Sequence, residues 1–216
     1  MATVMDASIR TPCNIMITGA SQSGKTTLLS QMLTHRTEMF TRPFDRIVWC
    51  YGQWQPAYDK IAAQIPEITW VEGLPRDLYE SFSPSKSNLL IADDLMGTDD
   101  ALISRIFTRG SHHLDLTIVY LLQNLFAQGK ECRNISLNAH YIILFKNPRE
   151  NSQVGHLARQ MYPRNSRFMQ SAYNDATKQA HSYLLVDCRQ ETPDHFRLRT
   201  SILPTDQQYV YLPVER

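Results

Sequence analysis

Short apolar runs punctuate the chain, and polar stretches with helical periodicity separate them. "NIMIT" (14–18), "RIVWCY" (46–51), "NLLIAD" (88–93), "LTIVYLL" (116–122), "HYIILF" (140–145) and "HSYLLVD" (181–187) are rich in branched and aromatic side chains. A strand with one wet face alternates apolar and polar residues. Near-continuous runs predict strands buried on both faces. Between them Leu28, Leu29, Met32 and Leu33 recur at helical spacing, as do Leu102, Ile103, Ile106 and Phe107, each forming a one-sided stripe. Strands alternating with helices predict an α/β fold, with a largely parallel sheet and helices on both faces. The tail "RLRTSILPTDQQYVYLPVER" predicts one or two edge strands, because Pro204 and Pro213 cannot donate to an interior ladder.

No repeat, low-complexity tract or linker interrupts this order. The expectation is a single domain over 1–216, with an N-terminal extension at 1–12 and C-terminal edge strands at 196–216. Of the 216 residues 43% are apolar and 20% charged, a globular balance. No run approaches the roughly 18 apolar residues of a membrane span, and "MATVMDASIR" lacks a secretory signal, so an intracellular, unsecreted protein without membrane contact is expected. A net charge of +1 means that any nucleic-acid contact is local, or shared by subunits around a common axis. Cys13, Cys50, Cys132 and Cys188 form no CxxC pair, and His112-His113 lacks ligand spacing. Free thiols in a reducing compartment are expected rather than a dedicated metal site.

Candidate chemistry begins just after the first strand. In "GASQSGKTT", Gly19, Ala20, Ser21, Gln22, Ser23, Gly24, Lys25, Thr26 and Thr27 match the phosphate-loop pattern in full. Glycines let the backbone wrap phosphates and turn its N–H groups inward, and the following helix offers an electropositive end. Lys25 suits the β and γ phosphates, and the Thr26 hydroxyl suits magnesium. The reading is a nucleoside triphosphate site. The strand "NLLIAD" delivers Asp93-Asp94 to its tip. Asp93 there can hold magnesium through water, and Asp94 can direct and deprotonate an attacking water; either could instead cap the next helix, a role that Asp99-Asp100 suits better. "LTIVYLLQN" ends in Gln123, which could sense the γ-phosphate or simply form a turn.

The order of phosphate loop, two-acid strand and "FTRGSHHLDLTIVYLLQNLF" resembles the FtsK–HerA superfamily of DNA-pumping ATPases. With "RIVWCYGQWQPAY", "QNLFAQGKECRNISLNAHYIILFKNPR" and "YLLVDCR", the chain is similar over about 13–212 to the genome-packaging ATPases of poxvirus-related viruses, virophages, adintoviruses and Polinton (Maverick) elements, the Polinton and adintovirus proteins above all. The resemblance implies a RecA-like core of the ASCE type, with the glutamine strand between the phosphate-loop strand and the acidic strand. It implies ATP and magnesium as cofactors, with Lys25 and Thr26 at the phosphates and metal, Asp93 the metal acid, Asp94 the base and Gln123 the sensor. It also implies a homo-oligomeric ring, pentamer or hexamer, threading double-stranded DNA. A capsid or portal protein would be a partner, and the site of action a capsid vertex in the host's virus factory or nucleus.

The family places an arginine in the neighbouring subunit's site from just before the glutamine strand, where Arg109 fits. Leu102, Ile106 and Arg109 share a stripe, and Gly110 is expected to end that helix. A favourable contact with the helix's own C-terminal dipole is the alternative role, and Arg105 is the competing finger. Lys130, Arg133, Lys146 and Arg149 are a loose basic set, a solvated face or DNA-phosphate contacts. Trp49, Tyr51, Trp54 and Tyr58 read as core or subunit seam, with base stacking as the alternative. Another FtsK–HerA motor, for segregation or transfer, stays open. So does a phosphotransferase whose lid arginines would be Arg159, Arg164 and Arg167, and so does a scaffold that scarcely hydrolyses.

Overall fold

The computed structural model describes residues 7–95, 100–125, 130–149 and 151–213, without the side chains of 100, 109–113, 130–132 and 151. Its centre is a sheet whose strands run β1 Asn14–Thr18, β2 Arg46–Tyr51, β3 Ile68–Glu72, β4 Asn88–Asp93, β5 Leu116–Leu122, β6 Tyr141–Phe145, β7 Tyr183–Asp187, β8 Leu198–Thr200 and β9 Tyr209–Val210. Across the sheet the order is β3-β2-β4-β5-β1-β6-β7-β8-β9. From β3 to β6 every pairing is parallel; from β6 to β9 every pairing is antiparallel. The glutamine strand β5 lies between β1 and β4, as the resemblance implied.

Alternate residues of the strands feed two cores. Ile15, Ile17, Ile47, Trp49, Leu89, Ile91, Val119 and Leu121 face one side. That side is covered by α1 Lys25–Thr34, the short α2 Arg36–Met39 and α3 Pro56–Gln64. Met16, Val48, Leu90, Ala92, Ile118, Tyr120, Ile142 and Leu144 face the other. There α4 Asp100–His113, α5 Lys130–Leu137, α6 Asn151–Met161 and α7 Ser166–Ala176 cover them. Both faces are dry, so the central strands need no polar alternation.

Several expectations shift. β6 starts at Tyr141, and β7 only at Tyr183, because His181 adopts a left-handed φ of 64° that no strand continues through. α4 runs through Gly110 to His113 instead of stopping there; an interior glycine costs a helix only about 1 kcal/mol, which its tertiary setting can absorb. The run "ITWVE", bounded by Pro66 and Gly73, is an edge strand that the apolar-run criterion passes over, since only Ile68 is fully buried. Part of the N-terminal extension is packed: Ile9 is buried and bridges Phe40. The tail supplies β8 and β9, of which β9 is the edge. Among the described residues no helix is long and apolar enough to cross a membrane.

Candidate nucleotide site

β1 runs directly into the loop of residues 19–24 and then α1. A Cβ at Gly19 would lie 2.5 Å from Phe145 Cβ on β6 and 2.8 Å from Ser23 Oγ, so only glycine lets the chain leave the sheet so tightly. Gly24 opens the helix at φ +105°, a conformation that L side chains rarely adopt. α1 has no acidic residue in its first turn and no side-chain cap, which leaves its positive pole to a ligand. Lys25 Nζ arches back to donate to the carbonyls of Gly19 (2.7 Å) and Ala20 (3.0 Å). Burial lowers the Lys25 pKa, while the charges of Asp93 and Asp94 work the other way.

Asp93 ends β4 and is 5% exposed. It shares strand parity with Leu89 and Ile91 and therefore faces the α1–α3 layer. There Tyr58 Oη donates to its Oδ2 at 2.8 Å and Thr26 Oγ1 approaches the same oxygen at 3.5 Å. Burial raises the Asp93 pKa, opposed by the Tyr58 hydrogen bond and the Lys25 charge. Burial and the Asp93 charge push the Tyr58 phenol far above its usual value, so it stays a donor.

Strict alternation would turn Asp94 to the opposite face, but its φ of 56° breaks the strand. Asp94 is exposed, and its charge acts on Lys25, Asp93 and Tyr58. Gln123, also exposed, follows Leu122. Leu122 pairs with Thr18, Leu121 pairs with Asp93, and Gly19 N donates to the Leu122 carbonyl at 3.2 Å. Three strand ends thus bring the phosphate loop, Gln123 and the acidic pair onto one edge of the sheet.

A hollow of about 720 Å³ adjoins the loop, lined by Gln22 to Leu28 and also by Gln31, Gln55, His181, Tyr183, Leu203 and Asp206. The loop motif does not point to these last six: Gln31 lies farther along α1, and the other five come from segments remote from the loop. His181 Nδ1 lies 3.2 Å from the Ser23 carbonyl, where a protonated nitrogen would donate to it. In the sequence Tyr58 stands only as one of an aromatic group, and its hydroxyl carries no signal there.

Arg109 lies outside the described side chains. Its backbone stands nine residues into α4, roughly 14 Å from the helix start, and α4 leads away from the edge carrying Asp93. Arg105 is exposed, with its guanidinium 5.5 Å from the centre of the Tyr79 ring. The basic set comes from two segments, one on each side of β6 in the chain. Exposed Arg133 precedes β6, exposed Lys146 and Arg149 follow it, and the Lys130 side chain lies outside the described residues. Arg164 and Arg167 line a separate hollow with Phe168 and Tyr211, and none of Arg159, Arg164 and Arg167 lines the hollow beside the loop. Cys13 and Cys50 are buried free thiols, pushed up to about 12 mainly by burial.

Neither a protein-family model nor a curated protein sequence matches the chain. Solved structures do. The genome packaging NTPase B204 from Sulfolobus turreted icosahedral virus 2, in complex with AMPPCP, matches with a TM-score of 0.51 at 13% identity, over 97% of this chain and 100% of that one. Its complex with ATP-gammaS gives 0.50 at 12%, over 94% and 98%. The chain has the P-loop NTPase fold. The cytoplasmic domain of EssC carries it too, at a TM-score of 0.53 and 12% identity, over 94% of this chain and 41% of that one.

The donor chemistry fits magnesium, which prefers hard oxygen ligands and keeps several waters. Thr26 and Asp93 offer a hydroxyl and a carboxylate within 3.5 Å of each other. Among the described residues no three His, Cys, Asp or Glu side chains converge to hold a metal without help. A site completed by substrate phosphates does not need them.

Proposed function

We propose that the chain is an ATP-hydrolysing motor of the FtsK–HerA superfamily. It assembles as a ring of five or six subunits and drives double-stranded DNA into a capsid. The observation that carries this reading is the strand order β4-β5-β1, which sets Asp93-Asp94, Gln123 and the phosphate loop side by side. Fold likeness to a viral genome-packaging NTPase over nearly the whole of both chains supports it. The motifs quoted above favour the Polinton and adintovirus packaging ATPases as nearest kin. Capsid or portal proteins are the expected partners, and a capsid vertex inside the host cell the place of action.

In this reading the loop amides and Lys25 bind the triphosphate, and the nucleoside lies in the hollow between α1 and residues 201–206. Thr26 and Asp93 are the residues that would hold magnesium, whose charge neutralises the β and γ phosphates. Gln123 orients the water beside the γ-phosphate, and Asp94 accepts its proton as it attacks. Arg109 of a neighbouring subunit offsets the charge that develops on the transferred group; such a finger is commonly worth about 10³–10⁵ in rate.

The test is ATPase rate against protein concentration, with and without duplex DNA. The expected result is a rate per subunit that rises cooperatively with concentration and rises again with DNA, and that Lys25→Ala abolishes. A rate per subunit independent of both overturns the motor. Phosphate transfer to a nucleoside acceptor would instead favour the phosphotransferase.

A further inference from the structure

The chain's three tryptophans, Trp49, Trp54 and Trp70, and Tyr51 all surround one residue, Tyr58. Ring centroids lie 5.6 Å away for Trp49, 5.5 Å for Trp54 and 5.2 Å for Trp70. α3, which carries Tyr58, starts with Pro56 in its first turn, and Trp54 Nε1 donates to Asp59 Oδ1 at 3.1 Å, tying the helix to the loop before it. Such packing fixes the ring and accounts for an aromatic residue at this position. It does not account for the hydroxyl, since phenylalanine would fill the same box. The hydroxyl's one proton is donated to Asp93 Oδ2, 2.8 Å away at the tip of β4. Among the described residues, both side-chain hydrogen bonds to that carboxylate reach Oδ2, the second being the longer one from Thr26.

We propose that Tyr58 is a positioning residue: its hydroxyl, held by the aromatic box, fixes the rotamer of the Asp93 carboxylate and keeps it turned toward Thr26. This rests on the reading of Asp93 as the acid beside the magnesium–triphosphate. A buried carboxylate free to rotate would spread its orientation over several rotamers. One held from behind by a rigid donor presents a single orientation, and outer partners of this kind commonly matter about 10–100-fold to metal affinity. The donor sits on α3, outside every motif that defines the fold family's phosphate site, which is why the spacing of the motifs does not reveal it.

The experiment uses the full chain and AMPPCP as a nucleotide that is not hydrolysed. Calorimetric affinity is measured with magnesium and with EDTA for the natural sequence, Tyr58→Phe, Asp93→Asn and the double variant, beside the thermal midpoint of each. The expected result is that Tyr58→Phe shrinks the magnesium-to-EDTA affinity ratio about tenfold, or to one if the natural ratio is smaller. Affinity in EDTA and the thermal midpoint stay near those of the natural sequence, and adding Tyr58→Phe to Asp93→Asn changes nothing further. An unchanged ratio in Tyr58→Phe overturns the proposal, whether or not the midpoint falls, because a merely structural hydroxyl moves stability and leaves the ratio alone. A further loss in the double variant also overturns it, since Tyr58 would then act elsewhere. If the natural sequence binds AMPPCP no better with magnesium than with EDTA, the site reading itself fails and takes this one with it.

Discussion

The two halves of the sheet obey different rules. From β3 to β6 the strands are parallel, all but the edge strand β3 are dry on both faces, and their ends deliver Lys25, Asp93 and Gln123 to one edge. From β7 to β9 they are antiparallel and short, and they end at an exposed edge; beside the nucleotide hollow this half places His181, Tyr183, Leu203 and Asp206. The parallel half has a reason to hold the chemistry. Parallel strands all finish on the same side, so groups far apart in sequence converge there without long loops. The antiparallel half sends alternate strand ends to opposite sides, so fewer of its groups reach that edge. Catalysis and substrate seating are therefore expected to separate along the β6–β7 boundary.

Breaking that separation starts with the largest effect. Asp94→Asn should lower kcat by about 10²–10⁴, the usual worth of a general base, while AMPPCP affinity by calorimetry holds. An equal fall in affinity would mean that Asp94 binds rather than reacts. Next comes Asp187→Ala in the antiparallel half. Asp187 and Arg199 form a buried pair at 3.1 Å, and Arg199 also donates to the Ala7 carbonyl. Stranding the guanidinium should cost about 3–5 kcal/mol in chemical denaturation, with kcat of the folded protein little changed.

His181→Ala should raise KM roughly fivefold, the worth of one hydrogen bond of about 1 kcal/mol, and leave kcat alone. A fall in kcat without a KM change would place His181 with the parallel half. Smallest is the effect of Asp93→Asn on stability without nucleotide. Because the Asp93 pKa is raised, the folded chain takes up this proton at a higher pH than the unfolded chain does. Asp93 thus works against stability near neutrality, and the penalty fades on acidification toward the usual carboxylate range. Asparagine removes it, so the thermal midpoint at neutral pH should rise slightly while hydrolysis is lost.

How much of this the sequence displayed depends on range. β1, β2, β4 and β5 occur where their apolar runs stand, because burial on both faces leaves a continuous signal. Edge strand β3 carries a thinner signal and escapes it, whereas α6 and α7 escape it although Val154, Leu157 and Ala158, and Met169, Ala172, Tyr173 and Ala176, recur at helical spacing. The phosphate loop is legible because its work is done by contiguous backbone. Tyr58 and His181 are not, since each acts across the fold on a partner 35 residues (Asp93) or 158 residues (Ser23) away.

Local order thus determined the buried central strands, the loop and the acidic tip, each legible within about ten residues. Local spacing also ranked the candidates: phosphate loop first, paired aspartates second, glutamine third. Long-range packing alone set the left-handed break of the strand at Asp94 and the tyrosine behind Asp93, and it realised the order β4-β5-β1 that the resemblance implied. Those outcomes depend on which surfaces find one another once the chain collapses, and hydrophobic burial specifies that pairing through the whole core rather than through any one segment.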